Sequence, residues 1–245
     1  MAQSKPIKAY LAEFIGTFAL VFIGTAVATL QGPGVLSESG HGAVGWLGIS
    51  FAFGFTLMVL VMVIGPVSGC HVNPAVTLPM ALSGRLEKSQ ALGYIISQLL
   101  GALAASAVLY ALLTGLPDYK LADHGLGANG NPEKMGIGAL FGWEVVLTAL
   151  FLFTIFTATR KGAPANLAPF AIGGFLFVAH LVGAHLGDSS LNPARSLGPA
   201  IVQGGDALKI VWVFVAAPIV GGLISSEEHT SELPSHLHLV CRLLL

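Results

Sequence analysis

Charge is what this sequence has least of. Of 245 residues, 11 are Lys or Arg and 12 are Asp or Glu, 9% in all, too few to cover the surface of a water-soluble domain. The formal net charge of −1 provides no electrostatic footprint for nucleic acid, and none is expected as a partner. Cysteine is nearly absent. Cys70 and Cys241 stand in very different surroundings, which argues against a disulfide framework. No cleavable leader is read either, because the apolar run behind the basic start MAQSKPIK continues for about a full membrane span, longer than a signal core. What the chain does have is 54% hydrophobic residues and 31 glycines, with a mean hydropathy of +0.81. Small residues in such number suit membrane helices, which associate by close backbone approach. A multi-span membrane protein is the class that remains.

Six apolar stretches, roughly 8–30, 44–64, 90–113, 137–159, 166–186 and 207–225, each approach the ~20 residues a helix needs to cross a bilayer. Two further apolar segments, VSGCHVNPAVTLPMALSG and GDSSLNPARSLGPAIVQGG, are too short to span and are broken by Asn-Pro. Each reads as a re-entrant segment, extended on the way in and a proline-started half-helix on the way out. Lys5, Lys8, Arg85, Lys88, Arg160 and Lys161 fall at the N-terminus and after even-numbered spans, whereas Lys120, Lys134 and Lys209 opposite are diluted by Asp118, Asp123, Glu133 and Asp206. Both termini are therefore expected on the cytoplasmic side of a cell membrane.

The halves repeat. Glu13 to Thr17 matches Glu144 to Thr148, Asn73-Pro74-Ala75 matches Asn192-Pro193-Ala194, and Gln98 to Gly101 matches Pro218 to Gly221. Three spans per half make the second copy enter from the opposite face, so the fold expected is an all-α inverted repeat of six transmembrane helices and two half-helices. Such repeats place the working site near the membrane midplane. The channel domain is read as 1–224, with halves of about 1–115 and 136–224. From 225 to 245 the text turns abruptly polar, SSEEHTSELPSHLHLVCRLLL. It resembles a translated sequencing adapter joined to a shortened gene, the other reading being a genuine cytoplasmic tail.

Proline at the first turn of a helix forfeits no hydrogen bond, and the preceding Asn side chain can cap the helix while directing an amide N–H into a pore. Two such ends meeting in mid-membrane supply two donors for one passing water and two positive helix ends of about +0.5 charge. At ~4 Å and an effective dielectric near 20, each opposes a cation by roughly 2 kcal/mol. Neutral water feels almost none of this. Capping alone explains one Asn-Pro, but not a matched pair. The extended stretches Gly69, Cys70, His71 and Val72, and Asp188 to Leu191 with Ser189 and Ser190 between them, are expected to turn carbonyl oxygens to the channel. Arg195 is a charge in an apolar segment and so a functional candidate, its other readings being a salt bridge to Asp188 or a snorkelling anchor. Glu13 and Glu144 could relay protons in a coupled transporter. The reading carried forward is that they accept hydrogen bonds from re-entrant backbone N–H groups. His71 reads as lining the inner vestibule or packing under the loop, and has no companion ligands for a metal. No metal, cofactor or enzymatic chemistry is expected.

The runs AEFIGTF, SGCHVNPAVT and SSLNPARS resemble the aquaporin family, in particular its bacterial water-selective branch, over the chain up to about residue 224. The resemblance implies a passive water channel in the lipid bilayer, assembled as a homotetramer with a pore in each protomer. It also implies that Arg195 joins Phe53, His180 and the backbone or hydroxyl of Ser189 in the narrowest ring; alone, Phe53 and His180 read as core residues. A ring so lined leaves little cross-section and no apolar wall for a carbon chain. Ser196 stands where glycerol facilitators usually carry Asp. Cys70 precedes Asn73 by the same spacing as Ser189 precedes Asn192, so it is expected to face the inner vestibule. A glycerol or small-solute facilitator and an ion-coupled transporter are the rival readings.

Overall fold

The computed structural model describes residues 6–30, 45–130, 135–183 and 189–230, with side chains as far as Ser225. Lys5, Gly42, Glu133, Lys134, the end of the fifth predicted span, Asp188 and Cys241 lie outside the described residues. The described residues are helical, with α1 Pro6–Leu30, α2 Gly45–Ser68, α3 Pro74–Leu82, α4 Lys88–Leu113, the short α5 Leu121–His124, α6 Ile137–Ala158, α7 Ala168–Gly183, α8 Pro193–Gln203 and α9 Gly205–Thr230. Five of these (α1, α2, α4, α6 and Gly205–Ser225 of α9) are long and apolar enough to cross a membrane; α7 is described over 16 residues. At 1.5 Å per residue, the 25 residues of α1 reach about 37 Å, enough for a ~30 Å hydrocarbon layer.

The polarity is that of a water-soluble protein turned inside out. Leu11, Phe51, Phe55, Leu92, Ile96, Leu150 and Phe170 are exposed, while Glu13, Glu144, Gln98, Asn73 and Asn192 are buried. Lipid tolerates the first set, and the second has internal partners.

Helix α1 packs on α4 and α2, as α6 packs on α9 and α7. Half-helix α3 lies against α9 and α4, as α8 lies against α4 and α9, and α2 meets α7. Exchanging the two halves maps each of these pairings onto another of the set. Glycines set the approach at the crossings. A Cβ on Gly101 would collide with the Phe14 carbonyl, and one on Gly221 with the Val145 carbonyl, the residues that follow Glu13 and Glu144. At the centre Gly54 and Gly173 face each other's backbone. Gly174, next in the chain, has open space around it. A Gly221→Val protein is expected to lose about 1–3 kcal/mol of stability by overpacking, read as a lower unfolding temperature in detergent; an unchanged temperature rejects the crossing.

Helix α9 carries the last span, read as 207–225, on to Thr230, and Ser225, though polar, is buried with its hydroxyl donating to the Ala149 carbonyl at 2.6 Å. A buried serine whose hydroxyl is satisfied by the neighbouring helix α6 costs a membrane helix little, so the change of composition does not end the helix. The stretch between the halves forms α5 and then dips inward, burying Leu126 and Asn129.

Candidate functional site

The two half-helices begin where the prolines stand. Asn73 and Asn192 are extended N-cap residues, and Pro74 and Pro193 open the helices. Asn73 Oδ1 accepts from the Ala75 N–H at 2.8 Å, and Asn192 Oδ1 from Ala194 at 3.0 Å and Arg195 at 3.3 Å. The amide ends do something the sequence does not display: each reaches across to the other half. Asn73 Nδ2 donates to the Leu191 carbonyl at 2.7 Å, and Asn192 Nδ2 to the Val72 carbonyl at 2.9 Å. An amide NH2 carries two hydrogens, so one clasps the opposite loop and one is left over. Val72 and Leu191 are buried and each carbonyl oxygen accepts from the facing asparagine; a carbonyl oxygen has a second lone pair, and Val72 borders the narrow cavity between the half-helices.

The loops leading in are held by the two carboxylates. Cys70, Val72 and Leu191 have φ of 53, 44 and 56°, a left-handed conformation costing about 1–3 kcal/mol for residues with side chains and most unusual for a β-branched one. This geometry turns consecutive N–H groups to one side as an anion-binding nest. Glu13 fills the first nest: Oε1 accepts from the His71 N–H at 2.9 Å and the Ser68 hydroxyl at 2.7 Å, and Oε2 from the Val72 N–H at 2.6 Å and Gln98 Nε2 at 2.7 Å. Glu144 fills the second, accepting from Ser190 at 2.8 Å and Leu191 at 3.0 Å. Gln98 also donates to the Thr77 hydroxyl at 2.9 Å. Sequence reading used Gln98 only to align the halves, although a fully buried amide in a span is a signal of such a role.

Phe53, His180 and Arg195 come together, all three buried. The Phe53 and His180 rings stack with centroids 4.6 Å apart, and the Arg195 guanidinium carbon lies 4.9 Å from the Phe53 centroid. Gly24 makes room for the Phe53 ring, and Gly183 for Ser189, which is fully buried. His180 Nδ1 lies 3.0 Å from the Leu176 carbonyl, an acceptor only, which assigns the proton to Nδ1 and leaves Nε2 an acceptor in the neutral ring. Nε2 has no protein partner among the described residues. The Ser190 hydroxyl donates to the Asn192 carbonyl at 2.9 Å and lies against that of Ser196.

These groups line one narrow cavity of about 20 Å³ that runs from Phe53, His180 and Arg195 past Asn73 and Asn192 to His71. A water needs about 10–15 Å³ by the same measure, so the cavity takes waters one at a time. His71 also lines a wider cavity of about 250 Å³, together with Gly69, Cys70, Met80 and Arg85. Its ring is hydrogen-bonded to the Thr77 hydroxyl at 3.2 Å. Arg85, assigned only to the charge bias by sequence reading, stacks on Phe156 at 4.7 Å and donates to the Thr159 hydroxyl at 3.1 Å.

A helical membrane bundle with paired half-helices and a passage of water width between them defines a transmembrane channel architecture. A family model described as major intrinsic protein matches residues 1–228, and the chain belongs to that family. It is 43% identical over 221 residues to aquaporin Z of Rhodopseudomonas palustris, covering 88% of this chain and 89% of that protein. With aquaporin Z of Bradyrhizobium diazoefficiens it shares 41% identity over 237 residues, 91% of this chain and 95% of that protein. Among solved structures, the X-ray structure of the aquaglyceroporin from Plasmodium falciparum matches with a TM-score of 0.76 at 20% identity, covering 94% of this chain and 98% of that one. That likeness is one of fold.

Proposed function

We propose that this chain is a passive water channel that conducts water in single file and excludes protons and ions. The observation that carries the reading is the 20 Å³ passage joining an aromatic, imidazole and guanidinium ring to the paired amides of Asn73 and Asn192. Its walls offer donors from Asn73, Asn192 and Arg195 and an acceptor at His180 Nε2, which replace hydrogen bonds that water gives up on entry. The positive ends of α3 and α8 and the Arg195 charge oppose cations there. Family membership and the two aquaporin Z relatives support the same reading. The roles of Phe53, His180, Ser189 and Arg195 in selectivity, a homotetrameric assembly, and cytoplasmic termini in a cell membrane are parts of this proposal. A glycerol facilitator is not favoured, because Phe53, His180 and Arg195 leave too little cross-section in the 20 Å³ passage for a carbon chain.

Stopped-flow swelling of proteoliposomes tests it. Water permeability well above that of empty vesicles, with low activation energy and no comparable glycerol flux, is the expected result; glycerol flux as fast as water refutes the selectivity assignment. Cys70 lines the 250 Å³ inner cavity, so mercurials are expected to block water flow through it by most of its value. A Cys70→Ser protein should be insensitive. Equal sensitivity of that variant, made without residue Cys241, would sink this assignment.

A further inference from the structure

The segment between α4 and α6 carries no chemical motif, yet it reaches the constriction. Asn129 is 2% exposed. Its Oδ1 accepts from Arg195 Nη1 at 2.7 Å and from the Ser196 hydroxyl at 2.7 Å, and its Nδ2 donates to the Ser189 carbonyl at 3.3 Å. The Gly127 carbonyl accepts from the same Nη1 at 3.0 Å. The segment is itself anchored. The Leu126 N–H donates to Gln203 Oε1 at 2.8 Å, and the Tyr119 hydroxyl to the Gly125 carbonyl at 2.7 Å. Gly127 sits at φ 62°, where a Cβ would lie 2.8 Å from the Thr25 carbonyl oxygen, so only glycine lets the chain descend this close to α1.

We propose that Asn129 is a positioning residue of the constriction: it fixes the Arg195 guanidinium beside the Phe53 ring, and, being an amide, does so without cancelling the arginine's charge. The inference rests on the reading of Arg195 as part of a water-selective filter. An arginine has several rotatable bonds, and a guanidinium without fixed acceptors would sweep the passage and vary its width. Here the Asn129 and Gly127 oxygens hold one of its nitrogens, and the Ser196 and Ser189 bonds hold the amide in turn. Both acceptors are neutral. A carboxylate at the Asn129 position would have nearly the same shape and accept the same two bonds from Arg195 and Ser196, at the loss of the longer Nδ2 bond to the Ser189 carbonyl, and would set a negative charge against the guanidinium and offset its repulsion of a passing cation. Clamp and charge are therefore separable by substitution.

The experiment reconstitutes full-length wild type, Asn129→Ala and Asn129→Asp in proteoliposomes, and measures water, glycerol and proton fluxes on each preparation. Asn129→Ala removes the shorter of the two bonds on Arg195 Nη1, leaving only the Gly127 carbonyl, and keeps the charge, so the glycerol-to-water ratio should rise about tenfold, with a smaller change in the proton-to-water ratio. Asn129→Asp keeps the clamp and offsets the charge, so the proton-to-water ratio should rise about tenfold or more with little change for glycerol. Ratios are independent of how much protein folds. A variant whose three fluxes all fall together, at wild-type ratios, shows a purely structural asparagine and overturns the proposal. If the wild type itself conducts no water, the functional reading fails first and this inference with it.

Discussion

A Glu13→Ala protein is expected to lose its water permeability and most of its folded yield. The carboxylate accepts four hydrogen bonds from Ser68, His71, Val72 and Gln98 in a fully buried site. Truncation leaves four buried donors without an acceptor, each costing about 1–3 kcal/mol before relaxation. A net loss on the order of 3–5 kcal/mol follows, a large part of the stability of a typical domain. The strained backbone at Cys70 and Val72 then has nothing to hold it, and α3 no longer presents its first turn to the passage. Glu13→Gln retains one acceptor oxygen and should be intermediate. Size-exclusion profiles and unfolding temperatures in detergent, followed by vesicle swelling, check this. A Glu13→Ala protein that folds and conducts normally would show that the loop is held by other means. The pair also separates a channel from a carrier: were Glu13 a proton relay, Glu13→Gln would fold normally and lose only its coupling to pH.

The second large effect concerns selectivity. Replacing both Arg195 and His180 by alanine removes two of the three side chains that meet around the Phe53 ring. The passage widens and acquires an apolar wall, so glycerol permeability is expected to rise on the order of tenfold to a hundredfold. The full charge of Arg195 is worth about 4 kcal/mol against a cation at ~4 Å and a dielectric near 20. Proton exclusion should therefore weaken as well, but not vanish, because the ends of α3 and α8 remain. Solute exclusion equal to that of the unmodified protein would disprove the assignment of these residues.

How far the sequence could carry the account depends on whether a feature is local. The half-helices could be read because an Asn-Pro pair sets a cap and a first turn by itself, whatever lies around it. The carboxylates could be read because Glu13 and Glu144 stand alone in apolar spans, where an ionisable group needs a partner. The clasp between Asn73 and Leu191 could not, since it joins positions 118 apart in the chain whose nearness follows only from folding the two halves together. Nothing local to Val72 or Leu191 shows that each carbonyl holds the asparagine of the other half. Asn129 was missed for a related reason. It lies in the run GLGANG, whose composition is that of an ordinary exposed turn, and only the descent of Gly127 beside Thr25 makes it a partner of Arg195.

The most direct measurement of the central claim compares two fluxes through the same wild-type vesicles: osmotic water flow, and proton flow under an imposed pH gradient. Two half-helix ends and an arginine that oppose charge but not neutral dipoles require fast water flow with proton flow no greater than that of protein-free vesicles. Proton flow that rises in step with water flow would contradict the account.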